Sequence, residues 1–255
     1  MRRPTARWRP AWGSLIKYWP YNLTLTLSNY DFEQVDARGW ESYFNSLQLG
    51  FWVAAIGTVL IFVGAYLMER TRGFVVLRGV VRLIAMLPLA VPGLVLGLGY
   101  IFFFNAKGNP LNFLYATMAL MVINSIVHFY TVSHLTATTA IKQLDQEFEA
   151  VSASLKVPLI RTFLRVTVPI CLPTILDIFI YLFVNAMTTV SAVIFIYGAE
   201  SKLASIAVVH MDENGKTSSA AAMAMLIFAT SALVKLAHVL AAGGIDRLTQ
   251  AWRRR

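Results

Sequence analysis

Five long apolar runs, at about residues 45–68, 83–104, 113–134, 175–197 and 219–242, decide what this chain can become. Each is long enough to cross roughly 30 Å of hydrocarbon as a helix, which takes about 20 residues. The composition agrees: 57% of the residues are hydrophobic and 14% charged, where a soluble domain carries about a quarter charged residues. The reading is all-α, a polytopic transmembrane helical bundle. A net charge of +9 would suit nucleic acid in a soluble protein. Here the bases fall between the apolar runs, where they report membrane orientation instead. The one cysteine, Cys171, excludes an intrachain disulfide.

Local chemistry marks each run. The first carries Gly50, Ala54, Ala55, Gly57, Gly64 and Ala65, small residues that let a neighbouring helix come close. Pro88 and Pro92 fall in the second, and a proline removes one helix hydrogen bond and crowds the preceding turn, so a kink or break is predicted there. Residues 1–44 hold no run of spanning length. Arg2, Arg3, Arg7 and Arg9 are not followed by the apolar core of a signal peptide. Residues 15–44 are rich in tryptophan and tyrosine and read as an interfacial or extramembrane segment.

Lysine and arginine set the expected orientation. Alternate connections and the tail at 243–255 carry Arg70, Arg72, Arg78, Arg82, Lys142, Lys156, Arg161, Arg165, Arg247, Arg253, Arg254 and Arg255. The other connections carry Lys107, Lys202 and Lys216 only. Bases concentrate on the cytoplasmic side, which places the tail and the connection between the third and fourth runs there. Five spans would then put residues 1–44 and their arginines outside, against the same bias. The expectation is that a further helix precedes the first run, the alternative being an arm that folds back.

The connection at 145–173 is far longer than the roughly 2–8 residues that join most helix pairs. Asp145 suits a helix N-cap, with Glu147 and Glu149 in the first turn, where the helix dipole favours negative charge. That helix should run through Leu155 and stop before Val157-Pro158. A second, over about 159–166, would carry Arg161 and Arg165 on one face. Phe148, Val151 and Leu155 fall at helical spacing, and such a stripe needs a partner to bury it. A solvated connection without a partner explains the stripe less well.

Polar residues inside the runs are the candidates for a translocation path. Asn185, Thr188, Thr189 and Ser191 lie together in the fourth, and Asn124, Ser125 and His128 in the third. Hydroxyls that bond back to their own helix, and asparagines that join two helices, are the competing reading. Asp177 suits an ion pair with a base such as Arg82, and Lys235 a snorkelling position. His210, Asp212 and Glu213 are too close in sequence to surround a metal ion. The segment 198–218 reads as a contact for a partner protein, or as a short re-entrant or surface helix closed by a turn at Asp212-Glu213-Asn214-Gly215. The four histidines are scattered and no Gly-x-x-x-x-Gly-Lys-Ser/Thr run occurs, so no catalytic residue and no metal site is expected. An ion-coupled transporter or a membrane-embedded enzyme is the alternative, although only Asp177 approaches the buried carboxylate that ion coupling favours.

The 145–173 connection resembles that of the permease subunits of binding-protein-dependent ABC importers. Their signature is Glu-Ala-Ala, three residues, a glycine, nine residues, then Ile-x-Leu-Pro. Here Ala150-Val151-Ser152, Lys156 and Val166-Thr167-Val168-Pro169 keep that spacing. The glutamate is displaced to Glu149, and Lys156 stands for the glycine, so a turn needing positive φ is expected either to be absent or to fall on Val157-Pro158. The resemblance implies the type I importer fold, with five core helices in a permease domain at 45–242 and the first core helix missing. It implies a non-catalytic subunit of the cell inner membrane, with no cofactor of its own. ATP and Mg²⁺ would be held by cytoplasmic ABC ATPase subunits docked at residues 140–169, on Asp145, Glu147, Phe148, Glu149, Ala150, Val151, Ser152, Leu155 and Lys156. The further partners implied are a second permease subunit or half, an extracytoplasmic solute-binding protein and the lipid bilayer, with no nucleic acid. More narrowly, residues 149–169, 187–215 and 220–228 resemble permeases for 2-aminoethylphosphonate, relatives of the ferric-iron and polyamine permeases, in the second of two fused halves.

Overall fold

The computed structural model describes residues 9–249, apart from 19, 20, 37, 71, 72, 74 and 146. The arginines at 2, 3 and 7 and those at 253–255 lie outside the described residues. In chain order, α1 (Arg9–Ser14) leads into a short hairpin, β1 (Ile16–Tyr18) and β2 (Asn22–Leu25), with Ile16 opposite Leu25. The long α2 (Glu41–Arg70) follows, then α3 (Val75–Ala90), α4 (Gly93–Phe104), α5 (Met118–His128) and α6 (Tyr130–Lys142). The long connection holds α7 (Glu147–Ser154) and α8 (Leu159–Thr162), a π-helical turn over Phe163–Thr167, and α9 (Val168–Ile170). The chain closes with α10 (Leu172–Thr188), α11 (Ala204–Glu213) and α12 (Thr217–Thr249).

Of these, α2 and α12 (over Thr217–Ala241) are long and apolar enough to cross a membrane alone. Three bent pairs each reach that length together: α3 with α4 at 110°, α5 with α6 at 55°, and Leu159–Ile170 with α10 at 76°. Among the described residues up to five spans result if each pair is one span. The first bend falls at Val91-Pro92, where the two prolines predicted it. The third run is placed differently from its prediction over 113–134. Its helix starts at Met118, breaks at Phe129 and continues to Lys142, past the apolar residues, with the hydroxyls of Thr136 and Thr139 donating to Val132 O and Leu135 O of their own helix. The fourth, predicted over 175–197, stops at Thr188, and residues 189–203 continue as turns.

The chain divides into two compact units. One comprises residues 1–51, 93–125 and 184–233. Its core includes Leu49, Leu120, Met121, Ile196, Leu203 and Ile206, all fully buried. Residues 14–45 are stitched into it by polar contacts. Buried Asn29 donates to Ser14 O and Ile16 O at 2.9 and 2.7 Å, Lys202 Nζ meets Asp36 Oδ2 at 2.7 Å, and Asn45 Nδ2 donates to Glu200 O and Lys202 O. The interfacial reading of that segment therefore lacked its hairpin and its fastening. Gly97 lets α4 close on Ala192, whose carbonyl oxygen would lie 3.0 Å from a Cβ there.

The second unit comprises residues 52–92, 126–183 and 234–255. Its core gathers Val53, Ile61, Ile141, Ile178 and Leu182. Gly57 shows what the small residues of α2 do, since a Cβ there would stand 2.9 Å from Leu182 and 3.3 Å from Ile126. Asp177 faces His238, Oδ1 to Nε2 at 3.6 Å, while Arg82 is engaged by Glu69 at 3.0 Å; the expected Asp177–Arg82 pair does not form.

Candidate functional site

The segment from Asp145 to Val166 is built as two short helices around a sharp turn. Asp145 Oδ1 accepts the Glu147 N–H at 3.0 Å, so a carboxylate covers one orphan donor at the start of α7. The side chain of Glu149 lies outside the described residues. At the other end the Val157 N–H reaches back to Ser152 O at 2.9 Å, the long bond of a Schellman turn. This bond requires the residue before Val157 to be left-handed, and Lys156 has φ +55°. The positive-φ turn is therefore present and is carried by Lys156 itself, not by Val157-Pro158. Pro158, extended at ψ 142°, then starts α8. The hydroxyls of Ser152 and Thr162 hydrogen-bond and hold the two helices together.

The apolar stripe is left open. Phe148 is 44% exposed, Val151 56% and Leu155 70%, and Ala150 and Lys156 are exposed beside them. Together with Arg161, Arg165 and Val166 the stripe lines a concavity of about 600 Å³. The turn behind it is anchored. Phe163 is buried, its ring 4.6 Å from Tyr66 and 6.0 Å from Phe62 of α2. The arrangement is a rigidly rooted, exposed apolar surface edged by charges of both signs, suited to taking up a complementary protein.

The proposed path residues are not gathered at mid-span. Thr188 is exposed in the last turn of α10, and its hydroxyl donates to Val184 O and Asn185 O of its own helix. Thr189 is buried, with its carbonyl accepting from Ser205 Oγ at 2.6 Å, and Ser191 lies in the turns beyond the helix. Asn185 is half-buried. In the third run Asn124 Nδ2 donates to Ala192 O at 2.5 Å, while Asn124 Oδ1, Ser125 Oγ and His128 Nδ1 are buried with no partner among the described residues. Ser133, His134 and Thr138 share that condition and were not singled out from the sequence, because single hydroxyls and a histidine among threonines give no pattern. No group of His, Cys, Asp and Glu able to hold a metal ion occurs among the described residues. The segment around His210 instead forms α11, with Ala204, Ile206, Ala207 and Met211 buried.

Residues 61–246 match the family described as binding-protein-dependent transport system inner membrane component. The chain belongs to that family. As a member it is a multi-pass inner-membrane transport component and not an enzyme. It is 28% identical over 210 residues to the ferric transport system permease protein FbpB of Actinobacillus pleuropneumoniae, covering 80% of this chain and 30% of that protein's length. The fold matches a bacterial ABC transporter involved in import of the acidic polysaccharide alginate, with a TM-score of 0.78, 12% identity, and 93% and 90% of the two chains covered. It also matches the MetNI methionine ABC transporter in inward-facing conformations, at 0.64, 14% identity, and 84% and 97% coverage. The family member therefore has the type I ABC importer permease fold.

Proposed function

We propose that this chain is the membrane-spanning permease of an ATP-driven importer, and that α7 is its docking element for a cytoplasmic ATPase subunit. The open stripe of Phe148, Val151 and Leu155 on a helix capped at both ends carries the reading. ATP and Mg²⁺ are then held by the ATPase, which drives the spans as rigid bodies. A second permease half pairs with this one, a reading supported by its covering only 30% of the FbpB relative, and a binding protein delivers the solute on the opposite side. The C-terminus is cytoplasmic, as the distribution of lysine and arginine favours. Asn185 and Thr188 of α10, with Thr189 and Ser191 in the turns that follow it, are the proposed contribution to the path. The test is co-purification from membranes with an ABC ATPase subunit expressed together with the chain. Glu149→Lys, or deletion of residues 145–155, is expected to abolish association, and unchanged association overturns the docking assignment.

For the solute, the sequence runs favour a phosphonate such as 2-aminoethylphosphonate, while the FbpB relative is named for ferric transport. Uptake by cells carrying the complete transporter, measured with each compound as competitor for the other, decides between them. Uptake that persists in ATP-free vesicles under an ion gradient would replace both readings with an ion-coupled carrier.

A further inference from the structure

The root of the α7 connection is tied to two other helices by charged side chains that the docking reading does not use. Arg70, at the end of α2, directs Nη2 to the carbonyl oxygens of Ile141 and Leu144, at 2.6 and 3.1 Å. Ile141 lies in the last turn of α6 and Leu144 immediately precedes Asp145, where the negative end of the helix dipole favours a cation. The adjacent Glu69 has a side chain only 11% exposed, and it receives Arg82 of α3 at 3.0 Å and Lys142 of α6 at 3.8 Å. A second tie between α6 and α3 runs from Thr131 Oγ1 to Ala85 O at 2.8 Å.

A helix C-terminus needs only one cation to satisfy it, yet here two consecutive residues of opposite sign bind two different helices. Residues 143–145, after Lys142, are turn and irregular backbone, which would swivel under load. We infer that Glu69 and Arg70 form a coupling joint, fixing the root of the docking connection to α2 and α3 so that displacement of α7 moves three helix ends as one body. This rests on the ATPase-docking reading. Both are positioning residues, acting through α6 and α3.

The test uses the complete transporter in lipid nanodiscs. Arg70→Ala and Glu69→Gln are expected to retain the ATPase and its ATP turnover, while solute carried per ATP falls about ten-fold, the size of an ordinary coupling between sites. Arg70→Lys should regain part of the loss, and Arg82→Glu should restore what Glu69→Arg removes. A wild-type ratio of solute to ATP in Arg70→Ala overturns the joint, and so does loss of ATPase association in that variant, which would make Arg70 part of the docking surface. If Arg70→Ala fails to fold in the membrane, the Glu69 and Arg82 charge exchange decides, recovery supporting the joint and its absence overturning it. Hydrogen exchange separates this from failure of the docking reading. With or without bound ATPase, the amides of Gln143 and Leu144 should exchange about ten-fold faster in Arg70→Ala, and an unchanged rate overturns the joint. A wild-type complex that holds no ATPase overturns docking alone, and the joint then stands or falls on the exchange rates.

Discussion

Helices α7 and α11 end in the same turn and present opposite apolar faces. At the end of α11, Gly215 at φ +74° donates to Asp212 O and Lys216 to Met211 O, both at 2.9 Å. The corresponding place after α7 is held by Lys156 at φ +55°. Glycine enters this region freely, whereas a side chain there costs about 1 kcal/mol. α11 buries Ile206, Ala207 and Met211; α7 leaves Phe148, Val151 and Leu155 open. The strained turn thus closes the helix that its own chain supports least. α11 is held by its core, and α7 by its caps, the Ser152–Thr162 bond and whatever covers its stripe.

The contrast can be broken at several points. The largest effect belongs to Ile206→Ala, which should lower the unfolding free energy of the detergent-purified protein by about 3 kcal/mol; a negligible shift would mean that burial does not hold α11. Leu155→Ala should leave that stability within about 0.5 kcal/mol and weaken ATPase binding by about 10–100-fold, as a hot-spot truncation does. Equal losses in stability at both sites would erase the distinction. Gly215→Lys should cost about 1 kcal/mol from φ alone, since nothing lies within 4 Å of a Cβ built there. Smallest is Lys156→Gly, expected to strengthen α7 by about 0.5 kcal/mol once the extra freedom of unfolded glycine is set against relief of strain. Slower amide exchange over residues 151–157 would show it, and faster exchange would place the strain elsewhere.

The spans were legible in the sequence because lipid demands long apolar stretches, and the break at Pro92 because proline acts locally. The site was legible at its root: Asp145 caps, Pro158 starts the next helix, and the stripe is open. What was hidden depends on distant partners. The apolar stretch after Thr188 leaves the helix because Ser205 takes Thr189 O and Asn124 takes Ala192 O, contacts that no local periodicity announces. Phe129 breaks a helix without proline or glycine. The left-handed Lys156 was hidden for a different reason: the geometry was expected of glycine, and its place in the chain, not its residue type, determined the turn.

The π turn at Phe163–Thr167 makes the bearing of α7 a matter of residue count. A π turn holds about one residue more than an α turn, and each α-helical residue advances the chain by about 100°. Deleting one residue between Phe163 and Thr167 would tighten the turn and swing α8, with α7 behind it, about a quarter of a revolution around the axis. Every side chain of the stripe would remain, pointing at a different neighbour.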